Sequence, residues 1–134
     1  MQNATSMFLL LPLLLALGCA DEANEGVVSG TVVVDGQPAK TGAMTYIPVD
    51  GKSTTAGAVI EDGKYTARVP VGTMKVRIHV PKVVGQKKLY DTPDSPMKDI
   101  MVESLPPKYN TQTTLEIDVQ RGENVKNYEL SIKG

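Results

Sequence analysis

The chain has no tryptophan, one phenylalanine, one histidine and one cysteine among its 134 residues. A single thiol excludes an intramolecular disulfide and any structural zinc site built on thiolate pairs. One imidazole, His79, must carry any histidine-dependent triad, since nucleophile, base and orienting acid have to meet there. The lack of tryptophan removes the usual stacking platform for sugars. Charge is scarce too in its net sense: a formal value of -1 and a pI near 5.8 provide no concentrated basic surface for phosphate backbones, so no nucleic-acid partner is expected. The hydrophobic share of 41% and charged share of 22% are those of a folded protein, stabilised by packing and not by crosslinks.

What is present begins with an apolar run over residues 8–17, broken only by Pro12 and ending in Gly18-Cys19-Ala20. Ten helical residues rise about 15 Å, half the hydrocarbon thickness of a bilayer, so the run suits the core of a signal peptide and not a membrane span. The tetrad Ala16-Leu17-Gly18-Cys19 resembles the lipobox of bacterial lipoproteins, with the two leading positions exchanged. That resemblance implies cleavage before Cys19 and lipidation of its thiol, with residues 1–18 as signal peptide and 19–26 as a polar tether. The residues before the run hold no Lys or Arg, and either Met1 or Met7 could serve as the start. An ordinary secretory leader, giving a soluble secreted or periplasmic domain, is the alternative.

Beyond the tether, period-two alternation in β-branched runs is cut at intervals by Gly, Pro and Asp. It predicts strands over 27–34, 43–49, 56–61, 64–69, 73–80, 113–119 and 125–132. The Asp62-Gly63 pair is a strong hairpin turn, because its geometry needs positive φ. The clearest strand turns Met74, Val76, Ile78 and Val80 one way and Lys75, Arg77 and His79 the other, which makes His79 a solvated residue on the wet face. Tyr128, Leu130 and Ile132 are expected inward on the last strand. Residues 81–112 carry five prolines and break the alternation, so they read as a long surface loop with at most a short element near 100–102. Seven short strands predict an all-β, antiparallel sandwich as one domain over 27–134.

The order of turn motifs over 29–82, with "DGQPAKTGAMTYIP" followed by "DGKYTARVPVGTMKVRI", resembles the carboxypeptidase regulatory-like family, whose fold is transthyretin-like. The segment "LPPKYN" at 105–110 is similar to one in small envelope lipoproteins that carry this domain alone. The resemblance implies an accessory or adhesive module that is not catalytic and has no cofactor. Intradiol dioxygenases, which resemble it in fold, hold iron with two Tyr and two His, which a single His cannot supply.

Asp91, Asp94 and Asp99 share the 81–112 segment but match no calcium-loop spacing, so they read as solvated charges and no metal is expected. The segment Leu105, Pro106, Pro107, Lys108, Tyr109 and Asn110 is the candidate recognition loop, since prolines pre-order a backbone and tyrosine offers an amphipathic contact. The competing reading folds Leu105 and Tyr109 against the sandwich edge. Expected function is therefore a lipid-anchored cell-envelope protein with a binding or structural domain, its partner an envelope protein or glycan. A carrier of small molecules or polysaccharide through the loops at one end is the alternative.

Overall fold

A computed structural model describes residues 24–133; the segment expected as a signal peptide and Cys19 lie outside them. The fold is all-β and sandwich-like, with a short 3-10 turn at Pro107–Tyr109. Eleven strands are present among the described residues: β1 (Glu25–Val34), β2 (Gln37–Pro38), β3 (Thr41–Pro48), β4 (Ala56–Glu61), β5 (Lys64–Pro70), β6 (Gly72–His79), β7 (Pro81–Lys88), β8 (Met97–Glu103), β9 (Glu116–Val119), β10 (Gly122–Val125) and β11 (Tyr128–Leu130).

The main sheet runs β10-β1-β5-β4-β3-β6-β9, with β2 and β11 also paired to β1. β4 and β5 share only the Glu61↔Lys64 pair, next to a turn in which Asp62 and Gly63 both have positive φ. Beyond that pair the strands part, and the sheet folds over on itself. Period-two alternation then aims one side of each strand inward. Val28 and Val32 of β1, Tyr65 and Val69 of β5, Met44 and Tyr46 of β3, Ile60 of β4, and Met74, Val76 and Ile78 of β6 form one buried cluster. Each such side chain removed from water stabilises by about 1.5–3 kcal/mol.

Two expectations about the last strands are corrected. The strand expected over 125–132 is reduced to β11, and a separate strand, β10, forms just before it over Gly122–Val125; both pair parallel to β1 and not antiparallel. The chain leaves β9 on one layer and returns beside β1 on the other. Asn124 holds that crossing by donating to the Gln120 carbonyl at 2.8 Å while accepting from its N–H at 3.0 Å. Lys126 then passes so close to Gly30 that a Cβ there would collide with the Lys126 carbonyl. Its N–H bonds the Ser29 carbonyl at 2.9 Å, and the Asn127 side chain accepts from Thr31 N–H at 3.0 Å. The ladder is interrupted at this crossing. Ile132, expected inward, is exposed. At the other end of the domain, Glu25 and Gly26 belong to β1 and not to the tether assigned to 19–26.

The largest correction concerns 81–112, which is not a loop. Its first part is a hairpin of two strands, β7 and β8, that pair with each other and with no other strand. Its second part lies along the edge of β6. β9 pairs with β6 only over Gly72–Lys75; Val76 N–H still bonds the Leu115 carbonyl at 2.8 Å, and beyond that side chains replace the ladder. Thr113 Oγ1 donates to the Val76 carbonyl at 2.6 Å and Asn110 Nδ2 to the Ile78 carbonyl at 3.4 Å. Covering an edge in this way satisfies backbone groups without a strand.

Candidate binding surface

The residues singled out at 105–110 are brought together by this edge, but mostly turned inward. Leu105 and Asn110 are buried, Pro106 and Tyr109 are half-buried, and Pro107 and Lys108 are exposed. Tyr109 packs against the core and its hydroxyl accepts from Ser131 N–H at 3.2 Å. Lys108 Nζ lies 5.0 Å from the centre of the Tyr109 ring. The outward surface of this segment is one lysine and one proline beside a half-covered ring.

His79 ends β6 where the hairpin begins. Its Nδ1 and Glu103 Oε2 are 3.0 Å apart, so the residue expected to be merely solvated is ion-paired when charged. The other oxygen, Glu103 Oε1, accepts from Val80 N–H at 3.0 Å and from Leu105 N–H at 3.1 Å. Ser104 Oγ donates to the Val80 carbonyl, and so does Ser104 N–H at 3.1 Å. With both Glu103 oxygens engaged and the Ser104 hydroxyl committed to a carbonyl, this cluster ties the base of the hairpin. Among the described residues no hydroxyl is hydrogen-bonded to the His79 ring, and no group of three His, Cys, Asp or Glu is placed to hold a metal ion. Asp99 accepts from Gln86 Nε2 at 2.8 Å, while Asp91 and Asp94 are exposed at the hairpin tip.

A tyrosine cluster lies inside the sandwich. The Tyr65 and Tyr128 ring centres are 6.3 Å apart, and the Tyr65 hydroxyl donates to the Lys126 carbonyl at 2.6 Å. The hydroxyls of Tyr46 and Tyr128 are buried and have no hydrogen-bond partner. Burial disfavours the phenolate at all three, pushing Tyr65 up to about 12 and raising Tyr46 and Tyr128 likewise.

The exposed apolar surface is concentrated on the hairpin. Cross-strand register divides it into two faces. One carries Lys82, Lys87 and Lys98 around Ile100 and Val102, with no carboxylate. The other carries Val83, Met97 and Met101, with Lys88 and the Gln86–Asp99 pair. Val84 is the extra residue of a bulge on β7. Tyr90 at the tip is 65% exposed and Val83 and Val84 more than half so. Scattered exposed apolar residues are ordinary, whereas a contiguous set points to interaction. The Val83-Val84 and Ile100-Met101-Val102 runs were visible in the sequence as β-branched and apolar signals. The second run coincides with the short element expected near 100–102 and lies within β8; the full length of both strands is masked by the surrounding lysines and prolines, and a strand with neither face buried shows no alternation.

Among the described residues no helix is long and apolar enough to cross a membrane. No family model, curated protein or solved structure matches the chain.

Proposed function

We propose that this protein is a lipid-anchored component of a bacterial cell envelope whose sandwich is a non-catalytic binding or structural domain, similar to carboxypeptidase regulatory-like modules. The observation that supports the reading most is the polarity of the fold. Residue 24 enters at the end of the sandwich where Asn24 accepts from Val71 N–H at 2.7 Å, beside the Glu25–Arg68 ion pair at 3.3 Å. β6 starts at that end with Gly72 and runs away from it for eight residues before the hairpin begins, about 25 Å at strand rise. A lipid on Cys19 would thus hold one end of the domain near a membrane and leave the hairpin at the other. Thioether-linked diacylglycerol with an amino-terminal acyl chain supplies enough buried methylenes, at about 0.8 kcal/mol each, for lasting attachment.

The test is the intact mass of protein extracted from host membranes, compared with a Cys19→Ala variant. The expected product begins at Cys19 and carries acyl mass that the variant lacks. A chain cut elsewhere without lipid would replace the anchored reading by a soluble one.

A further inference from the structure

The hairpin contains an unresolved electrostatic conflict. Lys87 and Lys98 stand directly opposite each other in the ladder, on the face that also holds Lys82 and no carboxylate. Like charges in opposed positions weaken a strand pair, and a two-stranded ribbon paired with no further strand is marginal. Asp99, next in sequence to Lys98, points to the other face and is bonded to Gln86. The two edges also differ. β7 is guarded as edge strands usually are, by Pro81, a bulge at Val84 and three lysines. β8 has no proline and no bulge, and its seven residues are all exposed.

We propose that the β8 edge and the lysine-bearing face beside it are a docking site for an extended, acidic segment of another protein, which adds as a third strand. The proposal rests on the binding-domain reading above and supplies its surface and the chemistry of its partner. An added strand lies about 4.8 Å from β8; carboxylates at alternate positions would fall beside Lys98 and near Lys87, and intervening apolar residues beside Met97 and Met101. Two other occupants fit less well. A second copy joined through β8 about Ile100 would put Lys98 opposite Val102 and bring six lysines onto one face without a carboxylate. A bilayer would leave the outer backbone groups of an open ribbon unsatisfied in hydrocarbon, which excludes deep insertion.

The test uses the isotopically labelled mature chain, titrated with a synthetic peptide of alternating Glu and Val, and in parallel with one of alternating Lys and Val. The Glu peptide is expected to give saturable shifts of the amides over 97–103, and the Lys peptide none. In the double variant Lys87→Glu, Lys98→Glu, the Glu peptide should bind about tenfold more weakly and the Lys peptide should now bind, as expected for two surface charge contacts reversed. Unchanged amide shifts at Val76 and Ile78 report that the variant remains folded. No saturable shift, equal response to both peptides, or shifts on the open edges of β9 or β10 would overturn the proposal. So would self-association through β8, or hairpin shifts produced by phosphatidylglycerol vesicles in preference to the peptide. Failure of acylation at Cys19 leaves this site intact. A partner crosslinked to another surface would sustain the binding role while removing the hairpin from it.

Discussion

Two isoleucines, Ile78 on β6 and Ile100 on β8, belong to strands of similar length in one chain and live in opposite surroundings. Ile78 is fully buried; Ile100 is 38% exposed on a ribbon that no other strand covers. The sandwich body closes its strands around a core and covers the far edge of β6 with the side chains of Thr113 and Asn110. The hairpin does neither. The contrast teaches that the apolar residues of the hairpin bury little area on folding and add little to the stability of this chain, which is what the proposed contact surface requires.

The comparison can be broken most directly by truncating the two residues in turn. Ile78→Ala should cost 2–5 kcal/mol in denaturant unfolding, through lost transfer energy and the cavity left behind. Ile100→Ala should stay within about 0.5 kcal/mol. Equal losses would mean that the hairpin is packed in solution and that its apolar face is structural.

The next effect in size lies at the junction. Glu103 receives the N–H groups of Val80 and Leu105 and faces His79, so Glu103→Ala strips partners from two donors in a partly buried site. An unsatisfied buried donor costs about 1–3 kcal/mol. Amide exchange at Val80 and Leu105 should accelerate accordingly, while exchange at Val76, whose N–H bonds the Leu115 carbonyl at 2.8 Å, should remain slow. Acceleration throughout β6 would show that hairpin and body open as one unit and not separately.

The same contrast explains what sequence reading could recover. Strands β3 to β6 follow from alternation because burial on one face enforces it, and the Asp62-Gly63 turn is legible because positive φ restricts residue choice. The ribbon has no buried face, so alternation was never enforced there, and its strands were hidden among prolines and lysines. Edge-covering at 104–115 was legible in part, since Leu105 and Tyr109 could be read as folding against the sandwich edge and do so; the roles of Thr113 and Asn110 were hidden, because they substitute side-chain bonds for a ladder whose existence depends on a distant strand. The parallel pairing of β10 and β11 with β1 left only faint traces: Gly30, where a close crossing forbids a Cβ, and Asn124, whose amide pins the turn. Of the candidate surface, the 105–110 segment stood out by composition, whereas the lysine face of β8 depends on cross-strand register and could not be read from spacing alone.

Alkaline titration addresses the body alone. The buried tyrosines favour the neutral phenol, so their folded-state values lie above the ordinary value near 10. Their contribution to stability is fully present below about pH 10 and is lost as pH rises toward the folded value of about 12 for Tyr65. The unfolding midpoint should therefore fall above about pH 10, and phenolate absorbance from the core should develop together with loss of near-ultraviolet dichroism. Phenolate appearing before any loss of dichroism would mean that the cluster is reached by water in the folded state.

The smallest effect separates two members of that cluster. Tyr65 donates its hydroxyl to the Lys126 carbonyl, at the crossing of the chain over Gly30 that joins the last strands to β1. Removing the donor leaves a part-buried carbonyl short of a partner, so Tyr65→Phe should cost about 1 kcal/mol. Tyr46 has the same ring in a fully buried site, but its hydroxyl meets no protein acceptor. Tyr46→Phe keeps the packing and deletes a polar group that already lacks compensation, so stability should change by less than about 0.5 kcal/mol or rise. If Tyr46→Phe were the costlier substitution, the hydroxyl of Tyr46 would have to anchor a hydrogen-bond network inside the sandwich, and the core would be polar at its centre and not apolar throughout.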